Sequence, residues 1–468
     1  MKLFRLREHQ TDVRTEFTAG FTTFLAMLYI VPVNASIMSA SGMPYDALIT
    51  ATAAMTIIAS ILSGLWANTP IAMSVGMGLN AYFSFGLVKG MGIPWQTALG
   101  IVFVSGILYI LISMTPLRRW MIATIPMDIK RAVSAGIGAF IAFIGMEQLG
   151  LVTDSPATLV TLGNLKDPHL LVGLFGLALA IIFTFKKIRG AFILSIVLTA
   201  LLAWVTGIEK MPEQFLSMPA SMAPIAFELD IASALTLSLA PVILIFLITD
   251  LFDTLGTLTG VGMRADLFHG KDSVPLQRTI EADAGATMLS GLAGVTSTTA
   301  FIESAAGVEE GGRTGLSAVF TGLLFILPLF WLPFFQAVPS NAIYPILIVI
   351  GVMMFGELQQ IDYSDAAVKY ATFFIVRRDG RPRRRRDARL FRPLTLSEIA
   401  FELFVRVGIL QHLRIVDRDE IGNAGRQHPL IETRRTGGEQ IRFHFSADAH
   451  RRRAPPLVKR NGDRASAP

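Results

Sequence analysis

Two acidic residues lie in stretches of the chain that are otherwise apolar: Asp253 in LFDTLGTLTG and Glu303 in TSTTAFIESAAGV. An ionisable side chain at membrane depth costs about 2.5–3.5 kcal/mol on insertion scales, so such residues are kept mainly where they function. The small residues beside each carboxyl group let a helix break and leave room for a ligand. The pair predicts the binding site of a transporter.

The composition indicates an integral membrane protein. The 468 residues are 52% hydrophobic and only 16% charged, and the mean hydropathy is +0.54, which is too apolar for an ordinary soluble domain. No cysteine is present, which excludes disulfides, thiolate chemistry and cysteine-based metal sites. The N-terminal segment MKLFRLREHQTDVRTEF is too polar for a signal peptide, so we expect the first span to direct insertion.

Apolar windows of about 17–24 residues recur in the first part of the chain and are long enough to cross a hydrocarbon core of about 30 Å. They lie near residues 17–40, 47–66, 70–88, 96–114, 132–151, 169–185, 190–208, 234–256, 280–296, 297–309, 314–335 and 341–357. With the N-terminus inside, only three basic residues, Lys89, Lys166 and Lys210, fall in outer connections, while 16 fall on the inner side. This bias predicts a cytoplasmic N-terminus.

Two of these segments are poor continuous helices. Residues 70–85 (PIAMSVGMGLNAYFSF) and 294–307 (GVTSTTAFIESAAG) mix Gly, Ser and Thr with one strongly polar residue in a short apolar setting. Paired, interrupted segments of this kind are the best indication in a sequence of a transporter site at the membrane midplane. We expect them to lie at corresponding positions, third and tenth, in two halves of the chain.

The tail differs from the rest of the chain. Residues 1–376 carry 19 Lys and Arg against 24 Asp and Glu, whereas residues 377–468 carry 22 against 11 and contain no window able to span a membrane. We expect a frameshift near codon 376, because a GC-rich gene read out of frame yields an excess of Arg, Pro and Ala and a disordered tail. The alternative is a genuine basic cytoplasmic tail that binds anionic lipid or nucleic acid.

The motifs GMGLNAYFSF, LFDTLGTLTGV and AFIESAAGVEEGGRTGL resemble the signatures of the AzgA-like purine permeases, a branch of the nucleobase–ascorbate transporter superfamily. The resemblance covers residues 14–374. It implies an all-α polytopic membrane protein with a 7+7 inverted-repeat transporter fold, of which about twelve of the fourteen spans are retained. It also implies proton-coupled uptake of nucleobases, homodimers in many members, no cofactor beyond the proton gradient, and no nucleic-acid partner.

The same resemblance divides the spans between a core domain and a gate domain. The core domain is expected from residues 1–115 (spans 1–4) and 230–336 (spans 8–11). The gate domain is expected from residues 130–210 (spans 5–7) and from a remnant at 340–376 (span 12 and the start of span 13). Residues 377–468 stand where the family has the rest of span 13 and span 14.

Glu303 matches the carboxylate of the tenth span that hydrogen-bonds the base in this superfamily. A purine presents adjacent N–H donors that one carboxylate can accept in bidentate fashion. The alternative is a structural acid that pairs with a neighbour or caps a helix. Phe301, two residues earlier, matches an aromatic position near the base and could stack on the purine face, although a lone Phe more often serves packing.

Asp253 matches the acidic residue of the eighth span, and Thr257 lies one helical turn further along the same face. A buried carboxyl group can hold a proton near neutral pH, as a proton carrier must. Asp250 shares this face and is a second candidate for proton coupling. A helix-packing hydrogen bond or a structural ion pair would account for these residues without any role in transport.

Asn80 in GMGLN lies on the third segment, and its amide can both donate to and accept from a purine edge. Within the family, Gly-Leu-Asn at this place is more similar to the guanine/hypoxanthine group than to the adenine group. Gly78 is expected to let the backbone approach the ligand, unless it is only a packing site. The first span contains four further polar residues, which are expected either to line the path or to form hydrogen bonds between helices: Thr22, Thr23, Tyr29 and Asn34.

The leading prediction is a proton-coupled permease of the inner membrane for guanine and hypoxanthine, with adenine as a further candidate substrate, and not an enzyme. Three alternatives remain at this stage. A carrier of another nucleobase or of an anion could share the architecture, although two buried carboxylates argue against an anion. An intramembrane aspartyl hydrolase would need catalytic aspartates from two elements, which Asp250 and Asp253 on one helix do not provide. Because of the unusual tail, the third alternative is an inactive, truncated relic of a transporter.

Overall fold

The structure is a computed structural model in which residues 4–115, 127–155, 158–265, 267 and 274–361 are described. The Arg-rich tail at 377–468 and the expected start of span 13 lie outside these residues. The frameshift and the missing spans therefore stay predictions.

Helices dominate the first part of the described chain, and each apolar window predicted there coincides with a helix or an interrupted segment. The helices are α1 (Val13–Met27), α2 (Ile30–Ser39), α3 (Tyr45–Leu62), α4 (Met77–Ala81), α5 (Trp95–Ser113), α6 (Met127–Gln148), α7 (Pro168–Phe185) and α8 (Ala191–Val205). Wider π-helical turns follow α3 and α4 at Ser63–Ala67 and Tyr82–Gly90. The strands of this part are β1 (Met73–Val75), β2 (Val152–Ser155) and β3 (Leu159–Leu162).

The second part has the same character. Its helices are α9 (Ile231–Ala234), α10 (Ala240–Ala265), α11 (Val274–Ala293), α12 (Ser304–Glu309), α13 (Gly315–Leu324), α14 (Leu332–Ala337) and α15 (Ser340–Phe355), and its strand is β4 (Thr298–Ala300). Short 3₁₀ turns follow α13 at Leu327–Phe330 and α15 at Gly356–Gln360.

Six helical stretches of the described residues are long and apolar enough to cross a membrane, judged by length and composition. They are Val13–Ser39, Tyr45–Ala67, Trp95–Ser113, Pro168–Phe185, Ala240–Gly262 and Ser340–Gln359. This is fewer than the twelve predicted segments, since several of those are shorter helices, broken segments or helices with more polar residues. Helix α7 exposes Leu171, Phe175 and Ile182, and an apolar surface of this kind suits contact with lipid.

The break between α1 and α2 has a covalent cause. Pro32 lies in the first turn of α2 and has no N–H to donate to the carbonyl of Leu28. That carbonyl instead accepts a longer bond from the amide of Val31, at 3.4 Å. The break places Tyr29 at the junction of the two helices, where its side chain is 2% exposed.

The two interrupted segments meet each other. Strand β1 pairs antiparallel with β4, with Met73 opposite Ala300 and Val75 opposite Thr298. The amide of Gly76 donates to the carbonyl of Ser297 at 2.8 Å and extends the pairing by one residue. The prediction that neither segment is a continuous helix is confirmed. Because the strands satisfy each other's backbone groups, this non-helical chain can lie inside the protein.

Small residues let several of the helices pack closely. A Cβ added to Gly138 of α6 would lie 2.6 Å from the carbonyl oxygen of Gly351 in α15, and one added to Gly106 of α5 would lie 2.6 Å from the amide of Met288 in α11. Contacts this short leave room for hydrogen only, as is typical of helix packing within membranes.

A buried carboxylate joins α1 to α13. Glu16 is fully buried and accepts backbone N–H bonds from Arg313 and Thr314 through Oε1, at 3.0 and 3.1 Å, and from Ser317 through Oε2, at 3.2 Å. These amides lie at the start of α13 or just before it, so the carboxylate caps that helix. Just outside the span, the Thr15 backbone N–H that bonds Asp12 holds the pKa of that carboxyl group below its usual value.

Candidate functional site

Glu303 lies directly after the β1–β4 pair, at the residue that precedes α12. Its side chain is half-buried, and its Oε1 accepts a hydrogen bond of 2.6 Å from the hydroxyl of Tyr29, 274 residues earlier in the chain. The pairing of β4 with β1 fixes where this carboxyl group emerges, since Ala300 stands opposite Met73. The carboxylate keeps lone pairs on both oxygens that can accept from a ligand.

Asp253 lies near Glu303, on the middle of α10. The two carboxyl groups are close enough for their charges to interact, and Asp253 is also half-buried. Within the part of the chain that the structure describes, no side chain hydrogen-bonds Asp253. The structure thus brings together the two carboxyl groups that the sequence singled out, and leaves both with free acceptor positions. Thr257, one turn further along α10, is half-buried as well.

Asn80 belongs to α4 and is fully buried. Its Nδ2 donates to Oδ1 of Asn34 at 2.8 Å, and Nδ2 of Asn34 donates in turn to the hydroxyl of Thr52, also at 2.8 Å. Oδ1 of Asn80 is buried and has no hydrogen-bond partner. A buried acceptor without a partner costs about 1–3 kcal/mol, so a ligand N–H directed at this oxygen would be favourable.

Two residues of the predicted site are packed inside the protein. Phe301 is 5% exposed, and its backbone N–H bonds the carbonyl of Ala72 next to β1. A Cβ added to Gly78 would lie 3.0 Å from Cγ2 of Ile137 on α6. The atoms nearest to Gly78 therefore belong to a neighbouring helix, and the glycine lets α4 approach α6.

Asp250 belongs to a second polar cluster, deeper in the helix packing. Its Oδ2 accepts a hydrogen bond of 2.8 Å from Thr287. Oδ2 of Asp283 accepts from Thr254 at 2.5 Å and from the hydroxyl of Tyr109 at 3.2 Å. Asp250 is 2% exposed and Asp283 is fully buried, and Oδ1 of each has no partner.

Asp283 is not among the site residues predicted from the sequence. It lies in EADAGATM, within the window predicted at 280–296, and the signal that points to it is the same as for Asp253: a carboxyl group among small and apolar residues. We call Asp250 and Asp283 the buried carboxyl pair. Among the described residues no Lys or Arg forms an ion pair with either, and no group of three metal-binding side chains is found there.

Two cavities in the described part of the structure lie away from the carboxyl groups. One has a volume of about 660 Å³ and is lined by residues that include Pro94, Glu228 and Asp230. These residues lie on the side of the membrane that the charge bias predicts to be the outer one. The other, of about 480 Å³, is apolar and is lined by residues that include Leu28 and Phe334. Neither cavity is lined by Glu303 or Asp253.

Comparisons with known proteins all point to membrane permeases. Residues 14–376 match the family Xan_ur_permease, described as a permease family. A putative permease of Methanocaldococcus jannaschii is 42% identical over 78% of this chain and 84% of its own length. The adenine permease of Escherichia coli is 39% identical over 80% and 84%, and a guanine/hypoxanthine permease of Bacillus subtilis is 38% identical over 80% and 88%.

A solved structure extends the likeness to the fold. The transmembrane domain of the cyanobacterial bicarbonate transporter BicA superposes with a TM-score of 0.59, over 78% of this chain and 96% of that one. The sequences are only 15% identical, so this likeness concerns the helical transporter fold alone.

Proposed function

Because the chain belongs to the permease family Xan_ur_permease, we propose that it takes up purine nucleobases across the inner membrane by proton symport. It is a multi-pass membrane protein and not an enzyme, as predicted. The observation that carries the proposal is the half-buried pair of carboxyl groups, Glu303 and Asp253, beside two paired, interrupted segments. Relatives named as adenine and guanine/hypoxanthine permeases support a purine as the substrate.

Glu303 is the proposed acceptor for the base. A purine carries N–H groups at neighbouring ring positions, and one carboxylate can accept two of them in a planar, charge-assisted arrangement. The free lone pairs of Glu303, its incomplete burial and its position at the strand pair suit this role. Asp253 is proposed to contribute a second contact or to carry the proton, with Thr257 beside it.

Asn80 and Phe301 complete the proposed pocket. The unpartnered Oδ1 of Asn80 is an acceptor for a further N–H of the base, and the amide is held in orientation by Asn34. Phe301 is proposed to offer its ring to the purine face. Gly78 is proposed to act through the close approach of α4 to α6, which sets where Asn80 lies, and not through a contact with the base.

The buried carboxyl pair is proposed as part of the proton path. Two ionised carboxylates buried without a cation would be costly, whereas a proton taken up by the pair relieves the repulsion. Asp253 is near enough to both Glu303 and Asp283 for their charges to interact, so it can link the buried carboxyl pair to the proposed acceptor of the base. We propose that the coupling proton is shared among Asp250, Asp253, Asp283 and Glu303.

We further propose the finer architecture expected above: two inverted repeats, with a core domain at 1–115 and 230–336 that carries the site and a gate domain at 130–210 and 340–376. The crossed pairing of β1 with β4 supports the repeats, because it joins the corresponding segment of each half. The N-terminus is proposed to lie in the cytoplasm, and the protein to form a homodimer.

Uptake of radiolabelled hypoxanthine, guanine and adenine by cells that lack their own purine permeases tests the function. Cells that make this chain should accumulate at least one of the three, and a protonophore should abolish accumulation. Excess unlabelled purine should compete, whereas sulfate and bicarbonate should not. Competition by either anion, or no purine uptake from a chain that is abundant in the membrane, would contradict the proposal.

The variant Glu303→Gln tests the site itself. It should abolish purine uptake, because an amide offers one acceptor in place of two and places an N–H against the N–H of the base. The matched control is Glu213→Gln, the same change at an exposed loop position, which should leave uptake unchanged. Equal membrane abundance of both variants is the check on folding, and uptake by Glu303→Gln at the original affinity would exclude Glu303 as the acceptor.

A further inference from the structure

Among the residues that the structure describes, the side chain that hydrogen-bonds Glu303 is that of Tyr29. Its hydroxyl donates to Oε1 of Glu303 at 2.6 Å, a short distance for an O–H to oxygen bond and typical of a charged acceptor. Tyr29 is 2% exposed, so its hydroxyl would lack a partner if the carboxylate turned away. The bond therefore holds the plane of the carboxyl group in one orientation.

Glu303 can accept further hydrogen bonds besides the one from Tyr29. An ionised carboxylate has two oxygens and about four lone-pair positions, and Tyr29 occupies one. A base that presents two N–H groups needs two more, one on each oxygen. Tyr29 and the base can therefore bind together, and the hydroxyl serves to fix the carboxylate before the base arrives.

The ring of Tyr29 is fixed by a residue of another helix. Phe192, in the first turn of α8, meets it edge to face, with ring centroids 5.0 Å apart and the ring planes at 79°. Such aromatic pairs add about 0.5–1.5 kcal/mol beyond simple burial. Three residues before Phe192, Arg189 forms an ion pair with Glu310, just after α12. The start of α8 thus contacts both Tyr29 and the segment that follows Glu303.

We propose that Tyr29 is a positioning residue for substrate, which orients the Glu303 carboxylate toward the base and is itself held in place by Phe192. This inference rests on the proposed function, since it concerns the same site. It links a residue of the proposed core domain to a residue of the proposed gate domain through one side chain. Substrate affinity is thereby sensitive to the position of α8.

The test is the affinity for hypoxanthine of Tyr29→Phe in the full-length chain. The variant keeps the ring and loses only the hydroxyl, and the loss of a hydrogen bond to a charged group should raise KM roughly tenfold, with Vmax per transporter in the membrane retained. Discrimination against N-methylated hypoxanthines should shrink, because a freely turning carboxylate selects less strictly for N–H donors. The matched control is Tyr45→Phe, which removes the hydroxyl that bonds the carbonyl of Phe335 and should change neither value.

Phe192→Leu tests the second link. It should raise KM by a smaller factor, and the double variant with Tyr29→Phe should be no worse than Tyr29→Phe alone, since Phe192 acts through Tyr29. Additive effects would exclude that link. Wild-type KM in Tyr29→Phe, alongside loss of uptake in Glu303→Gln, would overturn the role of Tyr29 and leave the purine site standing. Tighter binding in Tyr29→Phe would also overturn it, by making the hydroxyl a competitor of the base.

Discussion

Two carboxyl clusters a short way apart differ in what can reach them. Glu303 and Asp253 are half-buried and retain open acceptor positions, whereas the buried carboxyl pair, Asp250 and Asp283, is almost completely sealed and surrounded by hydroxyl groups. The first cluster is therefore the one whose oxygens are open to a ligand. The second cluster is closed to solvent.

The difference separates two tasks that a symporter must perform. Substrate binding needs a carboxylate that is accessible and oriented, while proton coupling needs a carboxyl group whose charge changes in a setting that resists a fixed charge. The two clusters are joined through α10, which carries Asp250 on one turn and Asp253 on the next. Substitutions in the first cluster should therefore weaken substrate binding, whereas substitutions in the second should impair proton-driven uptake.

The largest contrast is expected from Asp283→Asn. It should abolish proton-driven uptake, because the amide cannot take up or release the coupling proton, while the Kd for hypoxanthine stays within about twofold of wild type. Uptake measured with and without a protonophore, beside equilibrium binding to the purified chain, gives both values. If Asp283→Asn showed proton-driven uptake at the wild-type rate, Asp283 would not belong to the proton path. The two clusters would then not differ in function as proposed.

A tenfold loss of affinity is expected from Asn80→Ala, the cost of one buried hydrogen bond with the base. Asn34→Ala should have a smaller effect, because Asn34 bonds Asn80 and Thr52 but has no proposed contact with the base. Binding of hypoxanthine to the purified variants is the measurement. If Asn34→Ala weakened binding more than Asn80→Ala, the pair would act in helix packing and not in recognition.

Much of this arrangement follows from the sequence, and the part that does not has a physical reason. Gly, Ser and Thr around Glu303 indicate a broken segment, and the structure has a strand there, paired with the other predicted break. The contact of Tyr29 with Glu303 joins positions 274 residues apart, and no local pattern encodes such a partner. A glycine such as Gly78 permits close approach either of a ligand or of a neighbouring helix, and the sequence does not distinguish the two. Only the three-dimensional packing does.

Asp283 is hard to recognise from the sequence as a buried residue, because α11 is a helix of mixed polarity. Gln277, Arg278 and Glu281 precede it in the same helix, so one more acidic residue resembles part of a solvated face. The packing of α5 and α10 around α11 makes that position a buried one. Burial of individual turns in a polar helix depends on neighbours far away in sequence.

A few-fold fall in the uptake rate is expected from Thr254→Val, with Kd unchanged. The valine keeps the shape of the side chain but removes the hydroxyl that bonds Asp283 at 2.5 Å and the Thr299 hydroxyl at 2.9 Å. Neither bond involves Glu303 or Asp253. Thr254→Ser retains the hydroxyl and is the matched control, with uptake near wild type. A changed Kd in Thr254→Val would place Thr254 within reach of the base.

The smallest effect on binding is expected from Glu16→Gln, a buried carboxylate outside both clusters. Its oxygens accept three backbone N–H groups, and an amide retains one of the two acceptor oxygens. The thermal midpoint of the purified chain should fall, by an amount that corresponds to about 1–3 kcal/mol, while Kd stays unchanged. A large loss of affinity at unchanged thermal stability would show that α13 takes part in the site.

The most direct test of the central claim is equilibrium binding of radiolabelled hypoxanthine to the purified full-length chain, since binding does not require a complete transport cycle. We predict saturable binding by the wild type and by Asp283→Asn, and no saturable binding by Glu303→Gln. Equal binding by Glu303→Gln and the wild type would contradict the assignment of Glu303 as the carboxylate that accepts the base.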